Sequence, residues 1–253
     1  MWIFYFSLWM FAVGRVVRFG GKECFYNVNR FKSGIVLSVE GNIGAGKSTL
    51  LDIISDYFGD DLEVYTEPVE KWKDIDGVNI LDVFYKDPKR YAYTFQSYAF
   101  ITRMMELQRT QEKPIRLLER SPLSDYCFAK NCWEIGHMND IEWKLYQEWW
   151  RFFVSSDSSK RPDGIIYLYT TPEICLERVN RRKREEEENM DIGYLQLLHK
   201  QHEDWFQNKG KDKNFVDVPF IILDGTEEFQ GDKSVQSKML KKIDELVLKL
   251  KKE

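Results

Sequence analysis

One short segment constrains the fold of this chain more than any other. Residues 34–41 read GIVLSVEG, an apolar run that ends in glycine, and residues 41–48 read GNIGAGKS. The amphipathic pattern STLLDIISDYF follows at once. A buried strand that passes through a glycine-rich loop into a helix is typical of a parallel α/β fold, because helices must cover both faces of such a sheet.

The glycine-rich loop predicts a phosphate site. Its spacing is Gly41-x-x-x-x-Gly46-Lys47-Ser48. Glycines let backbone N–H groups converge on an anion without Cβ clashes, and the helix that begins near Lys47 adds the positive end of its dipole. We expect Lys47 to reach the β- and γ-phosphates of a nucleoside triphosphate and the Ser48 hydroxyl to ligate Mg²⁺. The residues assigned to this site are Gly41, Asn42, Ile43, Gly44, Ala45, Gly46, Lys47, Ser48 and Thr49.

The remaining chain alternates between strand and helix patterns. Further strands are predicted at 62–68, 114–121, 164–170 and 218–225, and helical stretches near 47–58, 88–112, 122–153, 172–208 and 232–251. This alternation predicts a single P-loop domain over residues 33–253, with a five-stranded parallel sheet flanked by helices on both faces. Ligands of such sheets bind at the carboxyl ends of the strands.

Composition narrows the function classes. The 253 residues are 43% hydrophobic and carry a net charge of −4, which argues against a general nucleic-acid binder. The chain has no CxxC pair and three histidines, so we expect reduced thiols and no zinc site. The four cysteines are Cys24, Cys127, Cys132 and Cys175.

Residues 1–32 are interpreted as a leader outside the fold. The apolar run WIFYFSLWMFAV at residues 2–13 is far shorter than the ~20 residues that span a bilayer. No positive charge precedes it, which disfavours a secretory signal. Residues 1–22 hold basic residues and no acid, as in an organelle transit peptide, although their aromatic bias is not typical of one. We expect a cytoplasmic protein, or a mitochondrial one if the leader is a transit peptide.

Charged side chains lie at the ends of two of the predicted strands. Glu67 lies in VYTEPVEKW, and Glu119 and Arg120 end the apolar run in PIRLLERS. Glu67 would lie near the loop at the ligand edge of the sheet, where a phosphoryl-transfer enzyme needs a base, or it is a solvated loop acid. Glu119 would hold Mg²⁺ and Arg120 would stabilise the moving phosphoryl group. A plain ion pair at the strand end is the alternative.

Two predicted helices each place polar or charged residues on one face, where they could bind a ligand. Gln96, Ala99 and Arg103 fall at i, i+3 and i+7, one helix face that would suit the edge of a heterocycle. In VNRRKREEEE, Arg178 and Arg182 put like charges on one face, which favours an anion between them. The alternative there is an exposed helix with i,i+4 ion pairs, such as Arg182 with Glu186.

Taken together, these segments resemble the deoxyribonucleoside kinase family, in its deoxycytidine/deoxyguanosine kinase branch. The resemblance covers roughly residues 34–250. It depends on seven ordered segments: VEGNIGAGKST, TEPVEKW, YAYTFQSYAFITR, ERSPLSD, TPEICLERVNRRKREEEE, YLQLLHKQHEDWF and VPFIILDG. It implies transfer of the γ-phosphate of ATP, with Mg²⁺, to the 5′-hydroxyl of a deoxyribonucleoside for nucleotide salvage. It also implies a homodimer, while the net charge and the short apolar run predict no nucleic-acid partner and no membrane span.

The resemblance implies roles at the phosphate end of the site. Glu67 would be the general base that accepts the proton of the 5′-hydroxyl, and Arg120 would steady the 5′-oxygen and the phosphoryl group. Glu119 would share Mg²⁺ with Ser48. The VPFIILDG turn would contact adenine. The lid over ATP would consist of Arg178, Arg182 and Arg184.

At the acceptor end, the resemblance implies that Tyr85 and Glu187 hold the sugar 3′-hydroxyl and that Gln96 binds the base. Trp72 and Phe128 would form the walls of the pocket. Two segments depart from the family pattern. The segment SDYCFAKN is one residue shorter than usual and lacks an arginine, and the lid carries extra acids, so Glu186 is an alternative to Glu187 at the sugar.

Arg103 and Asp125 match a pair found in the deoxycytidine/deoxyguanosine branch. An Asp125 kept ionised by Arg103 only accepts hydrogen bonds, which favours a base edge with an exocyclic amine. Thymine would present a carbonyl oxygen instead. We therefore expect deoxycytidine, and secondarily purine deoxynucleosides, to be preferred over thymidine, with Ala99 leaving room for the base.

Two other functions compete with this interpretation. A nucleoside-monophosphate kinase of the thymidylate type has the same donor site, but Glu67 near the acceptor would repel its phosphate. A non-catalytic kinase-like accessory subunit should have a damaged loop or lack the base. Here Lys47, Ser48, Glu67 and Arg120 are all present.

Overall fold

The computed structural model describes residues 16–19, 22–25, 34–155, 161–188, 190–207 and 218–252. It divides into two units, residues 1–33 and 34–253. In the first unit, β1 (Val16–Phe19) and β2 (Lys22–Phe25) pair antiparallel. The rest of the predicted leader lies outside the described residues, and its role as a leader stays a prediction.

The second unit contains the predicted sheet of five parallel strands. Their order is β4-β5-β3-β6-β7, with every neighbouring pair parallel. The expected α/β fold with a five-stranded parallel sheet is confirmed. The strands are β3 (Ile35–Glu40), β4 (Leu62–Tyr65), β5 (Ile115–Glu119), β6 (Gly164–Tyr169) and β7 (Phe220–Asp224).

Helices connect these strands and cover the sheet. They are α1 (Lys47–Phe58), α2 (Val69–Lys73), α3 (Ile80–Lys86), α4 (Pro88–Leu107), α5 (Pro122–Glu134), α6 (Asp140–Ser155), α7 (Pro172–Arg182), α8 (Ile192–Gln207) and α9 (Lys233–Leu250). No helix within the described residues is long and apolar enough to cross a bilayer.

Two predicted helical stretches are each divided in the structure. The stretch 122–153 breaks because Gly136 turns the chain with a φ of 73° and the Asn139 side chain then accepts hydrogen bonds from two N–H groups at the start of α6. The stretch 172–208 breaks at Lys183, which has a φ of 52°, before a short 3₁₀ turn, Glu185–Glu187. The prediction of two continuous helices was wrong, and it also missed α2 and α3.

The central strand β3 supports hydrophobic clusters on the two faces of the sheet. Val36 packs into one cluster with helices α4 to α6, and Leu37 and Val39 pack into the other with α1 and α9. Leu37 is fully buried, so truncating it to alanine would cost about 2–5 kcal/mol. This core holds the carboxyl ends of β3, β4 and β5 side by side at one edge of the sheet.

Three cysteines among the described residues are free and buried, which agrees with the expected reduced thiols. They are Cys127, Cys132 and Cys175. The side chain of Cys24 lies outside the described part of the chain.

Candidate active site

A cavity of about 690 Å³ opens at the carboxyl ends of β3, β4 and β5. This volume is in the range of small-molecule sites. Most of the site residues predicted from the sequence line this cavity; Gly41, Asn42, Ala45 and the alternative Glu186 do not, nor do residues 218–225. One cavity therefore joins the predicted phosphate loop to the predicted acceptor pocket.

The phosphate loop packs too closely for side chains at two glycines. Gly44 has a φ of 76°, and a Cβ there would lie 2.3 Å from the Cys175 carbonyl oxygen. Gly46 has a φ of 99°, and its Cβ would lie 3.0 Å from the Phe229 ring. The loop is thus pressed against α7 and against the segment after β7, with α1 beginning directly at Lys47.

Three cations hold the loop through its carbonyl oxygens. Lys47 Nζ donates to Asn42 over 2.8 Å, Arg178 Nη1 donates to Ala45 over 2.9 Å, and Arg120 donates to Gly41. Burial, aided by the charge of Arg120, lowers the pKa of Lys47 to about 8. A polyanion bound in the loop would reverse this effect, because it favours the charged ammonium.

Glu67 lies two residues beyond β4 and pairs with two arginines. Its Oε1 accepts from Arg120 Nε over 3.1 Å and from Arg103 Nη2 over 3.2 Å. Burial by itself would raise the pKa of Glu67, but the charges of Arg120, Arg103 and Lys47 outweigh it and lower the pKa to about 2. Glu67 is therefore an ionised carboxylate that faces the phosphate loop, and not a solvated loop acid.

The adjacent residues Glu119 and Arg120 do not pair with each other. Glu119 Oε1 accepts a hydrogen bond from the Ser48 hydroxyl over 3.0 Å, while Arg120 turns to Glu67. Arg120 has a φ of 65°, in the left-handed region that is uncommon outside glycine. This backbone turn at the end of β5 directs two consecutive side chains to two different partners.

Arg103 and Asp125 form a buried pair deeper in the cavity. Arg103 Nε lies 3.1 and 2.9 Å from the two carboxylate oxygens, and its Nη1 donates to the Glu119 carbonyl oxygen over 3.0 Å. Burial raises the pKa of Asp125 to about 6, although Arg103 opposes the shift. The Arg103 guanidinium thus favours the ionised form of Asp125 against the effect of burial.

Aromatic side chains form the walls around this pair. Trp72 is fixed by a hydrogen bond from its Nε1 to the Thr102 hydroxyl over 3.0 Å. The Phe128 ring lies 4.5 Å from the guanidinium carbon of Arg120, so the shortened segment still brings Phe128 to the cavity. Gln96 also faces the cavity and has only a weak contact, 3.8 Å to the sulfur of Cys132.

Two of the three predicted lid arginines, Arg182 and Arg184, pair with Glu187, whereas Arg178 donates to Ala45. This buried carboxylate accepts from Arg182 Nε over 2.9 Å and from Arg184 Nη1 over 3.2 Å. Glu186 points away, towards Asn79 and Lys73, and does not line the cavity. The alternative interpretation, an i,i+4 pair of Arg182 with Glu186 on an exposed helix, was wrong, because α7 ends at Arg182 and the chain then turns.

Comparison with known proteins identifies the family. Residues 37–248 match the family model described as deoxynucleoside kinase. The chain belongs to the deoxynucleoside kinase family.

Individual relatives agree with this assignment. The chain is 39% identical over 221 residues to a mitochondrial deoxyguanosine kinase of Xenopus laevis, covering 78% of this chain and 83% of the relative. It is 38% identical over 234 residues to deoxycytidine kinase 2 of Gallus gallus, covering 82% and 88%. A probable deoxycytidine kinase of fowlpox virus is 40% identical over 229 residues, covering 89% and 94%. The protein is an ATP-dependent deoxynucleoside kinase.

Sequence reasoning missed part of the cavity wall beside the phosphate loop of this kinase. The cavity is lined there by Glu228, Phe229 and Gln230, just beyond the predicted adenine-binding turn, whereas residues 218–225 do not line it. The guanidinium of Arg178 lies 5.9 Å from the Phe229 ring, and the Gln236 side chain holds the carbonyls of residues 229 and 230. In the polar segment EEFQG (residues 227–231), Phe229 is the single aromatic residue, and this was the only sequence feature that could have indicated a contact with the cavity.

Sequence reasoning also missed Tyr194 of α8, which lines the cavity of the kinase. Burial raises the pKa of its hydroxyl well above the ordinary value, so the phenol stays neutral. Arg181, Thr66 and Glu70 also line the cavity. No periodic pattern distinguishes these residues from their neighbours in the sequence.

Proposed function

We propose that this kinase transfers the γ-phosphate of ATP to the 5′-hydroxyl of a deoxyribonucleoside. Deoxycytidine, and secondarily purine deoxynucleosides, are the preferred acceptors over thymidine. The observation that carries the proposal is the position of Glu67, an ionised carboxylate held by two arginines in the cavity that also contains the phosphate loop.

Glu67 has one oxygen available for the acceptor. Both arginines donate to Oε1, and among the described residues no hydrogen bond reaches Oε2. The 5′-hydroxyl would donate to Oε2, and Glu67 would take its proton as the new O–P bond forms. Phosphoryl transfer depends mainly on positioning and charge neutralisation, so a weakly basic carboxylate at hydrogen-bond distance is sufficient.

Cations surround the path of the phosphoryl group. Lys47 and Arg120 line the cavity on the loop side, and Arg178, Arg182 and Arg184 line it on the lid side. Lys47 would contact the β- and γ-phosphates from the start of α1, while Arg120 would lie between the 5′-oxygen and the transferred group. Backbone N–H groups of the loop would bind the remaining phosphate oxygens.

The pair of Ser48 and Glu119 fits Mg²⁺. Their oxygens lie 3.0 Å apart next to the phosphate loop, and Mg²⁺ in kinases is held by one or two protein oxygens together with substrate phosphates. The bound ion would neutralise charge on the phosphates of ATP.

Base selection is assigned to the deep end of the cavity. Asp125, fixed at both oxygens by Arg103, presents acceptor lone pairs to an exocyclic amine, as in cytosine or adenine. Gln96 supplies an amide that can donate and accept, and Ala99 leaves space for the ring. Thymine would place a carbonyl oxygen against the Asp125 carboxylate, an unfavourable contact between two acceptors.

A nucleoside-monophosphate acceptor fits this cavity poorly. Its phosphate would lie beside Glu67, and Glu187 and Asp125 add negative charge at the acceptor end. A non-catalytic role also fits poorly, because Lys47, Glu67 and Arg120 are arranged around one cavity.

A substrate panel tests the proposal. The four natural deoxynucleosides and thymidine monophosphate are incubated with labelled ATP and Mg²⁺, with Lys47→Ala as the control for contaminating kinases. We expect deoxycytidine to have the highest kcat/KM and the monophosphate to remain unlabelled. Labelling of the monophosphate alone would establish the rival kinase, and no turnover of any acceptor would support an accessory role.

We also propose a homodimer that forms through α6. This helix exposes an apolar stripe at i, i+4 and i+8, in which Ile141 is 71% exposed, Leu145 48% and Trp149 53%. Large exposed apolar patches of this kind mark interaction surfaces. A second copy of the same helix would offer a matching apolar stripe and so form a two-fold interface.

The localisation is proposed to depend on residues 1–32. The protein is cytoplasmic unless this basic, acid-poor segment acts as a mitochondrial transit peptide. Residues 1–32 fused to a fluorescent protein would report import directly, with the bare fluorescent protein as control. Diffuse fluorescence of the fusion would exclude the transit peptide.

A further inference from the structure

The turn Glu185–Glu187 lies between the lid helix α7 and α8, and two of its acids face different ways. Glu187 points into the cavity, where Arg182 and Arg184 hold its carboxylate. Glu186 points out of the cavity towards the helices of the acceptor side. This turn of three residues therefore contacts the lid arginines through Glu187 and the helices of the acceptor side through Glu186.

Glu186 forms a hydrogen bond and an ion pair that are largely shielded from solvent. Its Oε1 accepts from Asn79 Nδ2 over 3.0 Å and lies 3.4 Å from Lys73 Nζ. The Glu186 side chain is 8% exposed and that of Lys73 is 32% exposed. Burial opposes ionisation here, but the hydrogen bond from Asn79 and the charge of Lys73 keep the pKa of Glu186 below its ordinary value.

Asn79 is itself fixed on the acceptor side. Its Oδ1 accepts from the Asp82 N–H over 2.9 Å and so caps the N-terminus of α3, which leaves Nδ2 free to donate to Glu186. The same amide thus begins α3 and binds the lid turn. A movement of α3 would move Glu186 with it.

The partners of Glu186 lie beside residues that line the acceptor cavity. Lys73 follows Trp72 on α2, and α3 carries Tyr85. Tyr85 lies close enough for the charge of Glu187 to add to burial in raising the pKa of its hydroxyl. The lid turn and the proposed site of the sugar 3′-hydroxyl therefore share these two short helices.

We propose that Glu186 is a positioning residue for the acceptor sugar, and that its bonds to Asn79 and Lys73 hold the lid turn so that Glu187 faces the 3′-hydroxyl beside Tyr85. The inference rests on the proposed function. Glu186 touches no substrate and acts through Glu187, the residue next to it in the turn. Loss of the contact lets the turn rotate and weakens recognition of the 3′-hydroxyl alone.

The test compares two acceptors that differ only in that hydroxyl: deoxycytidine and 2′,3′-dideoxycytidine. Glu186→Ala should lower kcat/KM for deoxycytidine about tenfold, because one hydrogen bond to a charged group contributes roughly that factor. The kcat/KM for the dideoxynucleoside and the KM for ATP should stay unchanged. Glu186→Gln, which keeps the acceptor for Asn79 but not the charge, should be intermediate.

Two further variants keep the inference testable if Glu186→Ala is unstable. Lys73→Met removes the partner charge from α2 and should produce the same selective loss, smaller in size. Lys86→Met is the matched control, because it breaks the exposed 2.7 Å pair with Asp82 on α3 and should leave both acceptors unaffected. Calorimetric affinities for the two acceptors provide the same comparison if the dideoxynucleoside turns over slowly.

The possible results distinguish the positioning role of Glu186 from a purely structural contact and from failure of the proposed function. Equal losses for both acceptors in Glu186→Ala and Lys73→Met would show a purely structural contact and overturn the inference, as would no loss for either. If the unaltered protein phosphorylates no deoxynucleoside, the proposed function itself fails, which is a different result from an active kinase that is indifferent to residue 186.

Discussion

The carboxylate of Glu67 lies 3.1 Å from Nε of Arg120, although the two residues follow different strands. The contact forms because β4 and β5 are adjacent and parallel, so their carboxyl ends meet at one edge of the sheet. Arg120 also holds the Gly41 carbonyl, which connects the acid to the phosphate loop.

Glu67→Gln should lower kcat by roughly 10²–10⁴-fold, because an amide oxygen retains the shape but not the basicity of the carboxylate. Deoxynucleoside binding should largely persist, since glutamine can still accept a hydrogen bond from Arg120. Steady-state kinetics with deoxycytidine, together with calorimetric binding, measure the two effects separately. Near-normal turnover would remove Glu67 as the base.

ATP binding should be accompanied by protonation of Lys47 when the pH is above neutral. Its pKa is about 8 in the free protein, so the protonated fraction falls as the pH rises through 8. Bound phosphates favour the ammonium and raise its pKa, so ATP binding at pH 8.5 should take up protons. Calorimetry in two buffers of different ionisation enthalpy measures this uptake.

Lys47→Arg is the control for that experiment, because arginine stays charged at this pH and should show little uptake. Identical buffer dependence in the two proteins would assign the uptake to another group.

The Arg103–Asp125 pair should determine base preference. Exchanging Arg103 for Met together with Asp125→Ala should raise the ratio of kcat/KM for thymidine to that for deoxycytidine by about tenfold or more, because the opposed acceptors are removed. Asp125→Ala alone should destabilise the protein by about 1–3 kcal/mol, because it leaves Nε of the buried Arg103 without an acceptor while Glu67 still pairs with Nη2. Substrate ratios and thermal melting measure both effects. An unchanged ratio in the double variant would place the base elsewhere.

His202 should make the protein less stable in mild acid. The ring is fully buried, its Nδ1 donates to the Leu198 carbonyl over 2.8 Å, and burial lowers its pKa to about 3. Unfolded histidine binds a proton below about pH 6.5, but the folded one binds it only near 3. The free energy of unfolding therefore falls as the pH falls from 6.5 towards 3, by at most about 1.4 kcal/mol per unit.

Urea unfolding of the unaltered protein and of His202→Asn, at several pH values between 6.5 and 4.5, isolates this contribution. The variant retains a donor for Leu198 but cannot titrate, so its stability should fall less steeply. Parallel curves for the two proteins would show that His202 does not contribute to the acid sensitivity.

The apolar stripe of α6 should control the oligomeric state. Ile141→Glu together with Trp149→Glu places two charges on the exposed face and should convert a dimer into a monomer by mutual repulsion and desolvation cost. Sedimentation equilibrium measures the mass. Lys144→Glu, outside the apolar stripe of the same helix, is the charge control. A monomeric unaltered protein would exclude the proposed dimer.

Much of the site could be predicted from the sequence because its signals are local. The loop from Gly41 to Ser48 is contiguous, and its strand–loop–helix context lies within one short segment. Glu67 and Glu119 were predicted to lie near the loop from their positions after apolar runs. Parallel strands bring such positions to the same edge, so the pattern alone predicted the meeting of residues far apart in the chain.

The sequence by itself therefore determined the parallel sheet, the phosphate loop and the identity of the strand-end acids. The tertiary structure decided which of two chemically identical neighbours, Glu186 and Glu187, enters the cavity, and that Phe229 packs against the loop. Glu186 is turned outward by Asn79, which is 107 residues away. The two glutamates differ because α7 ends at Arg182 and because the following turn packs against Asn79. Both causes depend on tertiary contacts, which the pattern of neighbouring residues in the sequence does not encode.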